Sequence, residues 1–341
     1  MSQRADVSSQ FLDRTAFFVE APSRLHFGLL AFSGSERTYG GVGVMVDRPQ
    51  VRIGLYAAAA FSTSDVHAER AEAFARRWSS QRQMPLPAFR LQVETAPPLH
   101  AGLGVGTQLG MSVGAGLDAA AGLPSAAPAE LAKVVGRGRR SAVGTYGFAL
   151  GGLIIERGKR APSEISELDC HIDLPAAWRF VIIRPPAPRG LSGSIETSAF
   201  DDLAEMPSET TQQLTREVRE HLLPAAARGH FEAFAESVYR FGYFAGMSFA
   251  TAQGGPYNGP ELTRTVEQVR ELGVTGVGQS SWGPSLFALF PSHAAAETFC
   301  RQFRRQALPD TDVLITTVAN RGARVVGVDN PVEARHTSSH N

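Results

Sequence analysis

Glycine placement is the tightest constraint on how this chain can fold. Of its 34 glycines, 17 lie in three stretches: six within residues 100–116, seven within 136–158 and four within 273–283. Glycine weakens helices and strands, so it concentrates where a backbone turns with positive φ or lies directly against another segment or a ligand. The chain therefore needs three special loops with ordinary structure between them. Its 341 residues suffice for about two domains at roughly 150 residues each.

Composition narrows the classes. Thirty-three Lys+Arg balance 33 Asp+Glu, which excludes the broad basic surface that sequence-independent nucleic-acid binding needs. A hydrophobic content of 43% excludes a disordered chain. The basic residues are 31 arginines and two lysines, Lys133 and Lys159, the bias that GC-rich codon usage produces. Cys170 and Cys300 are too few and too far apart for a disulfide framework or a metal knuckle, and read as thiols of a reducing compartment. Residues 1–15 lack the apolar run of a signal peptide, and no stretch approaches the ~20 apolar residues of a membrane span. A cytoplasmic protein with neither membrane nor nucleic-acid partners is expected.

Short strands are predicted at residues 17–20, 24–31, 42–46, 51–56, 89–94 and 151–156, from their Val, Phe and Leu content and bounding turns. Helices are predicted at 65–81, capped by Ser64, over the second half of 101–117, and at 128–135. Residues 158–178 loosen into Pro, Ser, Glu and Asp and suggest a domain boundary. Beyond it the pattern gives a strand at 180–184, helices at 209–223, 231–249 and 260–272, strands at 274–277, 286–290 and 313–318, and a helix at 293–306. This is an α+β arrangement, divided as 1–170 and 171–330 with a flexible tail at 331–341.

The first glycine cluster reads His100-Ala-Gly-Leu-Gly-Val-Gly-Thr-Gln-Leu-Gly and runs into a helix. Gly102, Gly104 and Gly106 leave backbone amides uncrowded, and Thr107 and Gln108 fall at the helix start, where an anion is favoured. This is either a phosphate cradle or a tight strand-to-helix turn. It is not a Walker loop, because no Gly-Lys-Ser/Thr follows. The second cluster sets Arg137, Arg139, Arg140 and Ser141 among glycines, either a polyphosphate contact or a solvated basic loop. The third offers Gln279, Ser280, Ser281 and Trp282 between two strands, either a ligand border or a decorated hairpin. Arg24, His26 and Gly28 fall on one strand face by the two-residue period, opposite Leu25 and Phe27; that face either meets an anion or is simply the wet side of a sheet.

Together these segments resemble the GHMP kinase superfamily, through Ala21-Pro22-Ser23-Arg24, Pro98-Leu-His-Ala-Gly102-Leu-Gly104 and Thr275-Gly-Val-Gly278. The resemblance implies an S5-like N-terminal domain, a ferredoxin-like C-terminal domain and an active site between them. Arg24-Leu-His-Phe-Gly-Leu-Leu30, Tyr39-Gly-Gly-Val-Gly43, Gly136-Arg-Gly-Arg-Arg-Ser141 and Gly276-Val-Gly-Gln-Ser-Ser-Trp-Gly-Pro284 are similar to one branch, the β-ribofuranosylaminobenzene 5'-phosphate synthases of methanopterin biosynthesis. Residues 141–150 carry no carboxylate, and Val105-Gly106-Thr107-Gln108 replaces the usual Ser-Ser of the phosphate loop. Both departures count against ATP-dependent phosphorylation, which stays as an alternative beside a non-catalytic ligand sensor.

The resemblance implies condensation of 5-phosphoribosyl 1-pyrophosphate with 4-aminobenzoate, or with 4-hydroxybenzoate, releasing CO2 and pyrophosphate, with Mg2+ and in a homodimer. On that reading the loop from Gly102 to Gln108 takes pyrophosphate, and Arg137, Arg139, Arg140 and Ser141 take a second anionic group. Arg24, His26, Gln279 and Ser280 serve the reaction, while Ser281 and Trp282 border the substrate. Asp47 is either a ligand for the metal or a turn residue.

Overall fold

The computed structural model describes residues 14–32, 36–186 and 206–329; the expected tail at 331–341 lies outside them. Among the described residues the strands form two sheets, of seven and four strands. The first is built on two long antiparallel partners, β1 (Arg14–Leu29) and β2 (Gly41–Ala57). Each was expected as two short strands. Pro22 does not end β1: the register shifts between Ala21 and Ser23, and Pro is tolerated at such a bulge. A second shift lies between His26 and Gly28.

β3 (Ser62–Ser64) and β4 (Phe89–Thr95) extend this sheet on one side, with helix α1 (Ala68–Arg82) between them. Ser64 therefore ends a strand and does not cap α1, whose first turn is preceded by His67 in a left-handed conformation. Helix α2 (Val105–Ala120) packs on the sheet, followed by α3 (Pro128–Val134) and α4 (Val143–Leu150). The sequence pattern did not predict α4, because three of its first five residues are Gly, Thr and Gly.

β5 (Leu153–Glu156) pairs with the start of β2, and β6 (Leu168–Ile172) pairs with β5. The polar stretch 158–178 thus contains a strand of the first sheet. The second sheet runs β10 (Asp312–Thr317), β7 (Arg179–Arg184), β9 (Leu286–Phe290), β8 (Val277–Gln279), all antiparallel. Its helices are α5 (Ser208–Arg216), continued through a π-helical turn at Glu217–Leu222 into α6 (Leu223–Arg228), then α7 (Phe231–Met247), α8 (Ala250–Gln253), α9 (Pro260–Glu271) and α10 (His293–Phe303). The last strand, β11 (Arg324–Asp329), returns to pair with β1, so residues 324–329 belong to the first sheet.

Strand alternation divides the core. Phe180 and Ile182 of β7, with Phe287 and Leu289 of β9, join the large cluster that includes Leu25, Phe27 and Phe241. Val181, Ile183, Leu286, Ala288 and Phe290 face the other way, onto Val266, Val269 and Phe299. The second sheet is thus covered on both faces, and one of them is continuous with the core of the first. No helix among the described residues is long and apolar enough to cross a membrane.

Candidate active site

The strand segment Arg24–Gly28 is the plank on which the site is built. Arg24 N–H donates to the Leu103 carbonyl at 3.0 Å, tying the first glycine loop to β1. Ser281 N–H donates to the His26 carbonyl at 3.1 Å, tying the β8–β9 turn to the same strand. Between loop and turn stands Ser280, wholly buried, whose Oγ accepts from His26 N–H at 3.0 Å and donates to the Gly102 carbonyl at 2.7 Å. The contact there is backbone on backbone. A Cβ at Gly102 would lie 2.3 Å from the Ser280 carbonyl oxygen, and one at Gly283 would lie 2.2 Å from the Gly102 nitrogen.

Above this junction opens a cleft of about 820 Å³. Of the residues singled out in the sequence, Arg24, His26, Gly102, Gly104, Gly106, Thr107, Arg137, Arg139, Arg140, Ser141, Gln279, Ser281 and Trp282 all line it. The three glycine clusters, far apart in sequence, meet in one place. Gln108 and Ser280 do not line it. Both are wholly buried, Gln108 spending its amide Nε2–H on the Gly144 carbonyl at 2.9 Å, and both hold the walls together. The face pattern on β1 also needs correcting: Phe27 lines the cleft alongside Arg24, His26 and Gly28, because the bulge after His26 breaks the two-residue alternation.

Helix α2 points its N-terminus into the cleft, with Gly104 as N-cap at φ 71°. The amides of Thr107 and Gln108 turn back onto the Gly104 carbonyl at 2.9 and 3.1 Å. The amides at the helix mouth are therefore those of Val105 and Gly106, the first-turn donors that a helix leaves unused. Arg137 Nε and Nη2 reach Thr107 Oγ1 at 3.4 and 3.3 Å, which brings the second cluster against the first.

Two residues that sequence reasoning passed over also shape the site, one in the wall and one behind it. Arg70, on α1, lines the cleft with its guanidinium so close to the loop that a Cβ at Gly106 would lie 2.9 Å from its Nη2. On a helix of mixed charge it had no signal to set it apart. Lys159 is buried: its Nζ donates to the carbonyls of Arg139 and Pro162, and stands 5.2 Å from the centre of the Tyr39 ring. It shapes the loop that presents Arg139. Five arginines line the cleft, Arg24, Arg70, Arg137, Arg139 and Arg140, and no carboxylate does among the described residues.

The other wall is flatter and less polar. Trp282 is mostly buried and meets Phe249 edge-on at 5.3 Å, so it offers the cleft a rim and not an open ring face. Gln279 is held at both ends, accepting from Asn258 N–H at 2.7 Å and donating to the Ser281 carbonyl at 2.7 Å. The Tyr257 ring is buried here too, and burial raises its hydroxyl pKa.

Burial and the neighbouring Arg24 charge push the His26 imidazole well below its usual range, so it is neutral at pH 7. It is a hydrogen-bonding group here and not a second cation beside Arg24. Behind it lies Glu156, the last residue of β5 and fully buried. Residues 141–150 lack a carboxylate, yet Glu156 reaches them from the adjacent strand, accepting from Ser141 Oγ at 2.6 Å and Ala142 N–H at 2.7 Å. Asp47 stays outside the cleft, hydrogen-bonded to Thr317 Oγ1 where β2 meets β10.

Residues 222–310 match the family described as GHMP kinases C terminal. The β-ribofuranosylphenol 5'-phosphate synthase of Methanothermobacter thermautotrophicus is 27% identical over 333 residues, covering 90% of this chain and 98% of that protein. The synthase of the same name from Archaeoglobus fulgidus is 25% identical, with 90% and 98% covered. Among solved structures, the phosphomevalonate kinase of Streptococcus pneumoniae superposes with a TM-score of 0.66 at 12% identity, covering 92% of this chain and all of that one. The homoserine kinase of Cytophaga hutchinsonii gives 0.61 at 16%, covering 92% and 98%. At these identities the structural likeness speaks for the fold.

Proposed function

Because the chain belongs to the GHMP kinase superfamily, with that superfamily's two-domain α+β fold, and is related over nine-tenths of its length to β-ribofuranosylphenol 5'-phosphate synthases, we propose that its cleft condenses 5-phosphoribosyl 1-pyrophosphate with a para-substituted benzoate, releasing CO2 and pyrophosphate. One observation carries the reading: five guanidinium groups and a helix N-terminus converge on one cleft. Departure of pyrophosphate builds negative charge on the leaving group. Donors fixed in advance stabilise that charge without reorganising.

The mouth of α2, with Arg70 and Arg137 over it, takes the pyrophosphate, and Arg139 and Arg140 take the 5-phosphate. Arg24 is the cation nearest the hydrogen-bonding group His26, and holds the benzoate carboxylate until the ring carbon has bonded to the sugar. The Phe27, Phe249 and Trp282 side receives the ring. Mg2+ enters this reading only on the phosphate oxygens of the ligand, since the donor set of the described cleft residues suits an anion and includes no carboxylate. The names of the relatives point to a phenol product, which makes 4-hydroxybenzoate the first acceptor to try.

Purified protein incubated with Mg2+, phosphoribosyl pyrophosphate and each benzoate should release CO2 and pyrophosphate in equal amounts. ATP-dependent phosphorylation of a small alcohol, with no CO2, would overturn the proposal.

A further inference from the structure

Behind the cleft wall lies a chain of three groups that the condensation as described does not use. Ser141, which lines the cleft, has its Oγ 3.1 Å from His26 Nε2 and 2.6 Å from Glu156 Oε1. The only other contact on that hydroxyl among the described residues is Val143 N–H, at a long 3.3 Å. Room for this meeting is made across the sheet: Gly41 pairs with Glu156, and a Cβ there would lie 2.9 Å from His26 Nε2 and 3.2 Å from Glu156 Oε1. Any side chain at position 41 would push imidazole and carboxylate apart.

The chain has two proton arrangements. With Glu156 ionised, Ser141 donates to the carboxylate and His26 donates from Nε2 to Ser141 Oγ. With Glu156 protonated, the carboxyl donates to Ser141 Oγ and Ser141 donates to His26 Nε2, so the direction of both bonds reverses. We propose that Glu156 is the proton-holding group for the acceptor in this cleft, acting through the Ser141 hydroxyl, and that an acceptor with a para hydroxyl depends on it far more than one with a para amine. This rests on the condensation proposed above.

The chemistry separates the two acceptors. As the ring carbon bonds to the sugar and pyrophosphate leaves, a para hydroxyl becomes strongly acidic. Its proton passes to Ser141 Oγ, displacing the long Val143 contact, while the serine proton passes to Glu156, and the ring oxygen becomes a carbonyl. The bond from the ring to the carboxylate then breaks, CO2 leaves, and its electron pair restores the aromatic ring as a phenolate, which takes the proton back. No proton is consumed overall. A para amine carries the same charge on nitrogen as an iminium and loses no proton in either step.

Burial raises the Glu156 pKa to about 7, so both arrangements are accessible near neutral pH, while His26 stays neutral. The charged and titratable groups facing the chain are Arg24 beside His26, and Lys159 and Tyr146 near the carboxyl. A second cavity of about 480 Å³ behind Glu156 adds Glu36, Arg37, Arg157, Asp169 and Arg219, with Arg157 and Arg219 both paired to Asp169.

The test measures CO2 release by the full-length protein and by Glu156→Gln and Ser141→Ala with 4-hydroxybenzoate and with 4-aminobenzoate, alongside thermal unfolding of each. Both variants should lower kcat with the hydroxy acceptor at least tenfold more than with the amino acceptor and remove the rise in kcat near pH 7 expected of the wild type with the hydroxy acceptor, and Glu156→Gln should leave KM for phosphoribosyl pyrophosphate within twofold. Should Glu156→Gln fail to fold, Ser141→Ala at the cleft wall carries the comparison. Equal losses with both acceptors overturn this inference alone. Wild-type protein that releases CO2 from neither acceptor overturns the condensation reading, and this inference with it.

Discussion

The Gly102 to Ser280 contact makes the junction between phosphate loop and hairpin measurable. Gly102 has φ +83°, so alanine there carries the left-handed cost of about 1–2 kcal/mol before any neighbour is considered. Its Cβ would stand 2.3 Å from the Ser280 carbonyl oxygen, against a comfortable carbon to oxygen approach of about 3.3 Å. Loop and hairpin must part by roughly 1 Å to admit it, and overpacking of that kind costs about 1–3 kcal/mol. The Ser280 Oγ to Gly102 carbonyl bond at 2.7 Å would be strained as well, adding about 1 kcal/mol. Gly273 supplies the control: its φ is +84° and nothing lies within 4 Å of its Cβ position. Gly273→Ala should therefore show the backbone cost by itself.

Urea unfolding of the two variants should place Gly102→Ala about 2–4 kcal/mol below Gly273→Ala. Because the displaced loop begins α2, KM for phosphoribosyl pyrophosphate should rise in Gly102→Ala and stay put in Gly273→Ala. Equal unfolding midpoints would refute the reasoning, since the two positions share their φ and differ in what their side chains would meet.

Other outcomes follow from the same geometry. Arg139→Ala and Arg70→Ala should each raise KM for phosphoribosyl pyrophosphate by about tenfold or more, the loss of a charge-assisted bond, and that for the benzoate by much less; equal effects on both substrates in steady-state kinetics would sink the anion assignment. Asp118→Ala should cost about 3 kcal/mol in chemical denaturation, because buried Asp118 accepts from Trp78 Nε1 at 2.8 Å and pairs with Arg82 at 2.9 Å. Glu156 is raised to about 7 in the folded chain from 4.5, so the folded state keeps a proton that the unfolded state has released between those values. Stability should fall as pH rises through that window, by an amount on the order of 3 kcal/mol. His26, lowered on folding, acts in the opposite sense, its contribution being lost as pH falls below about 6.5. The difference between wild type and Glu156→Gln, measured by denaturation across pH 4.5–8, isolates the carboxyl; a constant difference would contradict it.

Much of the site was legible because its signals are local. A glycine cluster marks where backbone must bend or approach another segment, and each cluster carried its own polar side chains, so Thr107, Arg137 and Ser281 could be named before their meeting place was known. The sequence pattern could not distinguish the glycines that serve a ligand from those that serve a neighbour. Gly102 looked like part of an anion cradle and is required at least as much by the Ser280 carbonyl pressed against it. Ser280 and Gln108 carry the same donors as residues in the cleft, and only long-range pairing shows that theirs are spent on Gly102 and Gly144. β11 was missed for a related reason. Its partners lie some 300 residues earlier in β1, and Val325 and Val328 stay partly exposed there, so the strand has no strong two-residue pattern.

Zero net charge and a site for a polyanion are compatible because the charges are sorted by place. Carboxylates within the body of the protein are engaged by arginines that do not line the cleft: Asp118 by Arg82, Asp169 by Arg157 and Arg219, Glu217 by Arg240. Five other arginines line the cleft into which the α2 N-terminus opens. The acid built into this wall, Glu156, sits behind Ser141, and burial raises its pKa to about 7. An exposed carboxylate in its place would attract the cleft guanidiniums and compete with phosphate oxygens for them. A buried one, reached through a hydroxyl, can exchange a proton with the cleft while leaving the guanidiniums to the ligand.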